Sequence, residues 1–157
     1  MSIQFGGSFQ PTQTARASAA LPAAGAFDAA PIEMPCPYTD WIMFYLSYTR
    51  GAVGGDTQFR VEVSPYSSDL AGVENWFRAS VFAAGAVVSG LDSLSHLQRG
   101  SIEYGSTGAA IENVVYGPFN LSKTAERIRF VAAESGVVGT PGTLHVVAVL
   151  GFREETV

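Results

Sequence analysis

Cysteine occurs once and histidine twice, and charged side chains make up 15% of the chain, against roughly 25% in ordinary soluble domains. The lone Cys36, set between Pro35 and Pro37, excludes an internal disulfide and matches no metal or redox motif. A buried, small apolar residue is its expected role. Any Ser-His or Cys-His chemistry would have to use His96 or His145. His145 lies inside an apolar run, where a hydrogen-bonded core histidine is expected, and His96 sits in a Ser-His-Leu loop with no nucleophile-elbow pattern. There is no Cys/His cluster, no His-Glu-x-x-His and no calcium-loop pattern. Asp28, Asp40, Asp56, Asp69 and Asp92 are scattered near turns, where Asp caps backbone amides. The glycine clusters at 51–55 and 105–108 lack the lysine and following helix of a phosphate loop. No catalytic residue, cofactor or metal is therefore expected.

Nine Lys plus Arg against fourteen Asp plus Glu give a formal charge of −5, and the basic residues are spread singly. Without a basic stripe the attraction to phosphate backbone is missing, so nucleic acid is not an expected partner. No apolar run approaches the roughly 18 residues that cross a bilayer, and the first ten residues lack a basic region followed by an apolar stretch. The expectation is a protein made in a cytoplasm that stays soluble until it meets its partner, with no membrane contact.

At 157 residues, 47% of them apolar, the chain holds one core. Residues 1–37 differ from the rest: nine alanines fall between Ala15 and Ala30, five prolines punctuate the stretch, and Arg16, Asp28 and Glu33 are its only charges. Pro22 and Gly25 interrupt any helix, so an extended arm is expected. Few large side chains offset the entropy of fixing such an arm, which points to an outside partner held through Ile3, Phe5, Phe9, Leu21 and Phe27. The competing path packs part of the arm on its own domain as a first strand, around residues 26–32.

Residues 38–157 read as strands. Residues 41–49 are rich in aromatic and bulky apolar side chains and stop at a glycine-rich turn. Residues 57–64 alternate, with Phe59, Val61 and Val63 on one face and Arg60 and Glu62 on the other, and the two segments are expected to form a hairpin. Residues 76–82, 101–104, 110–116 and 118–121 add shorter strands, 65–75 a loop, and 85–99 is ambiguous between loop and helical turn. Residues 125–134 alternate Ile128, Phe130 and Ala132 against Arg127, Arg129 and Val131, then turn through glycines into 143–152. Seven or eight short strands with little helix predict an all-β fold, a single β-sandwich or jelly-roll-like domain with an extended N-terminal arm.

Two strands are apolar on both faces. Leu144, Val146, Ala148 and Leu150 share one face of the last strand, with Val147 and Val149 on the other. Ile42, Phe44, Leu46 and Tyr48 stand opposite Trp41, Met43 and Tyr45. In a two-layer sandwich the outer face meets water, so an apolar outer face predicts a covering layer. Trp41, Met43, Tyr45, Val147 and Val149 are thus candidate oligomer-interface residues. A groove binding sugars through Trp41 or Trp76 is a rival from another functional class.

The run Trp-Ile-Met-Phe-Tyr-Leu-Ser-Tyr-Thr-Arg-Gly-Ala-Val-Gly-Gly at 41–55, then Phe-Arg-Val-Glu-Val-Ser-Pro at 59–65 and Ala-Glu-Ser-Gly-Val-Val-Gly-Thr-Pro-Gly-Thr-Leu at 133–144, resembles small structural proteins of tailed bacteriophages. The resemblance implies a virion component, a capsid decoration (cement) protein on the capsid surface. It also implies a homotrimer that clamps the major capsid protein, with a neck, tail or fibre-attachment protein as the alternative. On that reading the arm grips the shell, and deleting residues 1–30 leaves a folded domain.

Overall fold

The computed structural model describes residues 12–22, 26–51, 56–66, 76–78, 102–104, 111–121, 125–135 and 139–152. Nine strands lie among them: β1 Gln13–Ala20, β2 Glu33–Pro35, β3 Trp41–Thr49, β4 Asp56–Ser64, β5 Phe77–Arg78, β6 Ile102–Tyr104, β7 Ile111–Asn120, β8 Arg127–Ser135 and β9 Thr143–Gly151. No helix occurs among the described residues, and two antiparallel sheets make an all-β sandwich. The first sheet runs β1-β9-β3-β7; the second runs β2-β8-β4, with β5 and β6 sharing the far edge of β4.

The alternating patterns fall where sheet geometry requires. Ile42, Phe44, Leu46 and Tyr48 of β3 and Leu144, Val146, Ala148 and Leu150 of β9 point inward and are buried. They face Phe59 and Val61 of β4 and Ile128, Phe130 and Ala132 of β8. Five rings join the layers at the centre, with Tyr116–Phe119 centroids 4.6 Å apart, Phe59–Tyr116 4.8 Å and Phe44–Phe130 5.2 Å. Tilted and edge-on contacts of this kind add about 0.5–1.5 kcal/mol each beyond area burial.

The expected hairpin between β3 and β4 does not form. β3 pairs with β7 and β9, whereas β4 pairs with β8, β5 and β6 in the other sheet. β3 and β4 therefore lie in different layers, and so do β8 and β9. A glycine-rich turn signals reversal in both cases, but local alternation does not distinguish a strand that pairs with its predecessor from one that folds over it. Just after β3 the chain packs tightly on the segment before β9: a Cβ on Gly51 would overlap the backbone of Thr140 and Pro141.

The segments expected separately at 110–116 and 118–121 are one strand, β7, broken by a bulge. Between Ile42 and Phe44 the register against β7 slips by one residue, at Gly117 (φ 121°) and its cis bond to Pro118. The extra residue resets the alternation, so Tyr116 and Phe119 both reach the core. Glycine suits this position, because a side chain would be strained at φ 121° and its Cβ would press on the Ile42 carbonyl oxygen at 3.0 Å.

The arm departs from expectation as well. Residues 26–32 form no strand; instead β1 pairs with β9 at one edge of the first sheet and β2 pairs with β8 at the edge of the second. Two register shifts in β1 turn the consecutive residues Ala15 and Arg16 both inward. Between the strands the chain keeps capping sheet edges: Leu21 N–H donates to Gly142 O, Glu134 N–H to Pro22 O, and Asp28 N–H to Ala132 O. Residues 13–36 are therefore a strap that closes one side of the sandwich, and residue 37 is not where the packed domain begins.

Candidate interaction surfaces

The outer face of the first sheet is built by the outward residues of β3, β9 and β7. Met43 stands opposite Val149, Trp41 opposite Gly151, and Tyr45 between Val147 on one side and Val115 on the other. Four of the five residues expected at an interface, Trp41, Met43, Val147 and Val149, are half-buried, and Tyr45 is 45% exposed beside Val115 at 47%. The sheet brings all five into one continuous patch. The Tyr45 hydroxyl donates to Met43 Sδ at 3.4 Å, so the phenol lies along the sheet. Towards the other end the face turns polar, with Ser47 opposite His145 and Thr49 opposite Thr143. Neither β3 nor β9 carries a charged residue.

The outer face of the second sheet is of the opposite kind. Glu62, itself buried, sits between Arg60 (Nε to Oε1, 2.7 Å) and Arg129 (Nη2 to Oε2, 2.6 Å). Arg60 lies over the Phe27 ring at 4.1 Å, while Arg129 and Arg127 lie 4.2 and 4.9 Å from the Trp76 ring. Arg127 also pairs with Glu33 of β2 and donates from Nε to Tyr66 O at 2.8 Å. These guanidinium groups are already engaged by carboxylates, a carbonyl and aromatic faces of the same chain.

The strap is pinned by a pair missed from the sequence. Arg16 donates from Nε to Asp28 Oδ2 and from Nη2 to Asp28 Oδ1, and also to the carbonyls of Ala19, Ala20 and Leu144. Asp28 in turn accepts from Ala132 N–H at 3.0 Å. The signal was present: two of the three charges in an otherwise neutral arm have opposite signs, as a buried pair requires.

Two expected partner anchors need correction. Leu21 is only 2% exposed and belongs to the protein's own core, because the strap turns it inward as it crosses from β1 towards β8. Phe27 is half-buried beneath Arg60. Ile3, Phe5 and Phe9 lie outside the described residues, as does His96. His145 sits half-buried on the outer face of the first sheet, not in the core where it was expected. Both indoles are half-buried: Trp41 passes over Gly151, where a Cβ would overlap its ring, and Trp76 rests on two guanidinium groups.

Cys36 is buried and donates from Sγ to Ala125 O at 3.6 Å. Burial, reinforced by nearby Glu126, pushes its thiol up to about 12, the reverse of what a nucleophile needs. Among the described residues no group of three His, Cys, Asp or Glu is placed to hold a metal ion, and no helix is long and apolar enough to cross a membrane. Compared with protein-family models, with curated proteins and with solved structures, the chain matches none.

Proposed function

We propose that this chain is a structural, non-catalytic protein of a tailed-bacteriophage virion, a capsid decoration protein that associates with itself and with the major capsid protein. The observation that carries the assembly half of this reading is the uncharged patch of Trp41, Met43, Tyr45, Val115, Val147 and Val149 on the first sheet. Each Å² of apolar surface removed from water there contributes about 25 cal/mol, so a partner covering a few hundred Å² gains several kcal/mol. The other outer face is a poorer docking surface, because its charges are spent on one another. The virion half rests on the resemblance at 41–55, 59–65 and 133–144, which also supplies the homotrimer as expected stoichiometry. Ile3, Phe5 and Phe9 are retained as the shell-contacting residues, and Leu21 is withdrawn.

Two measurements test this. Light scattering should give a multiple of the monomer mass for the wild type, and a smaller assembly for Tyr45→Lys with a thermal midpoint nearly unchanged. Tyr45 is half-exposed, so the substitution costs the fold little. Immunogold labelling of purified particles should decorate the heads. Labelled tails would move the protein to the neck, tail or fibre-attachment class, and unlabelled particles would remove the virion reading.

A further inference from the structure

The strap holds much of its own structure. Of the groups that Arg16 binds, Ala19 O, Ala20 O and the Asp28 carboxylate all belong to the strap, and only Leu144 O belongs to the body. Its backbone links to the body are edge contacts: β1 on β9, Leu21 on Gly142, Pro22 on Glu134, Asp28 on Ala132, β2 on β8, and Cys36 N–H on Glu126 O, joined by the core side chains Ala15, Leu21, Met34 and Cys36 and by the Glu33–Arg127 pair. A second copy of the body offers the same edges.

The strap joins the body through a short connection from Cys36 to Trp41. Thr39 N–H donates to Cys36 O at 3.2 Å, closing a turn with Pro37 second and Tyr38 third. The third position adopts φ 62°, which suits glycine, yet it holds a tyrosine that is 76% exposed and gains little from packing. A short connection under strain favours exchange of the segment it tethers, because the open form relieves the strain and every docking contact is recovered in the neighbour.

We propose that residues 13–36 are exchanged between copies, so that the strap of one chain closes the sandwich of another. Leu21, Met34 and Cys36 are core residues, so the exchange is set during folding and not by later opening. This rests on the reading that the chain self-associates, and it gives the self-contact a second component besides the apolar face.

The test uses Glu33 and Arg129, paired residues of β2 and β8 far from the apolar face. One tagged chain carries Glu33→Cys and a second, differently tagged chain carries Arg129→Cys; the two are co-expressed, co-purified and oxidised. Exchange gives a disulfide-linked heterodimer on a non-reducing gel, and Tyr38→Gly lowers its yield several-fold by relaxing the closed turn. A chain carrying both cysteines, with strap and body in one polypeptide, controls for register. If that control closes internally in an oligomer while the mixed chains never cross-link, exchange is overturned and self-association stands. A monomer by light scattering overturns both.

Discussion

Arg16 and Asp28 meet as a two-pronged ion pair, at 2.9 and 3.0 Å, that folds the N-terminal strap onto itself while Asp28 grips the edge of β8 through Ala132. Both side chains are largely withdrawn from solvent, at 8% and 16% exposure. Removing one partner strands the other, so Asp28→Ala is expected to lower stability by about 3 kcal/mol, measured by urea unfolding. Arg16→Met alone should cost a similar amount, and the double variant less than the sum of the two. Additive losses would mean that the pair does not act as a unit.

The same strap governs truncation. Deleting residues 1–30 removes β1, Asp28 and the buried Leu21, and uncovers the edges of β9 and β8. The sequence suggested a folded remainder; the structure implies loss of a cooperative thermal transition. A truncated protein melting as sharply as the whole chain would contradict this.

Gly151 tests the outer face. A methyl group there would collide with the Trp41 ring, so Gly151→Ala must displace the indole or shift the strand pair. Overpacking of this kind costs roughly 1–3 kcal/mol. In a Trp76→Phe background the emission should move to longer wavelength as Trp41 gains solvent, and an unchanged spectrum and midpoint would refute the contact.

Alkaline stability follows from two buried groups. The Cys36 thiol, ordinarily at 9.0, is pushed up to about 12 by burial and then by Glu126, and burial raises the Tyr116 phenol above its ordinary 10.0. Below pH 9.0 folded and unfolded states both keep the thiol proton, and stability is intact. Above it only the unfolded chain ionises, so stability falls by about 1.4 kcal/mol per pH unit, and more steeply once Tyr116 joins above its own ordinary value. Unfolding midpoints across this range should show the decline, and Cys36→Ala should delay its onset.

Period-two alternation in β4 and β8 carried the inward and outward faces of the second sheet, because burial alone decides them. It also identified the Trp41, Met43, Tyr45, Val147 and Val149 patch, since a strand apolar on both faces is visible without knowing its neighbours. Pairing partners were not visible. Whether residues after Gly51 pair with β3 or cross above it depends on contacts with β8 and β9, some eighty residues away or more. The arm was misjudged for a related reason: most of its alanines report no face, and what holds it is a few dispersed core residues, Ala15, Leu21, Met34 and Cys36, together with the Arg16–Asp28 pair and backbone bonds that leave no periodic signature.

β1, the first of the described strands, has β9, the last, as its hydrogen-bonding partner. During synthesis its edge therefore waits until β9 has left the ribosome, after every other described strand. Neighbouring nascent chains on one messenger would wait in the same unfinished state, with matching edges open at short range. Slower translation between the codons of β1 and those of β9 would lengthen that interval, and the spacing of ribosomes would then influence how many copies finish joined.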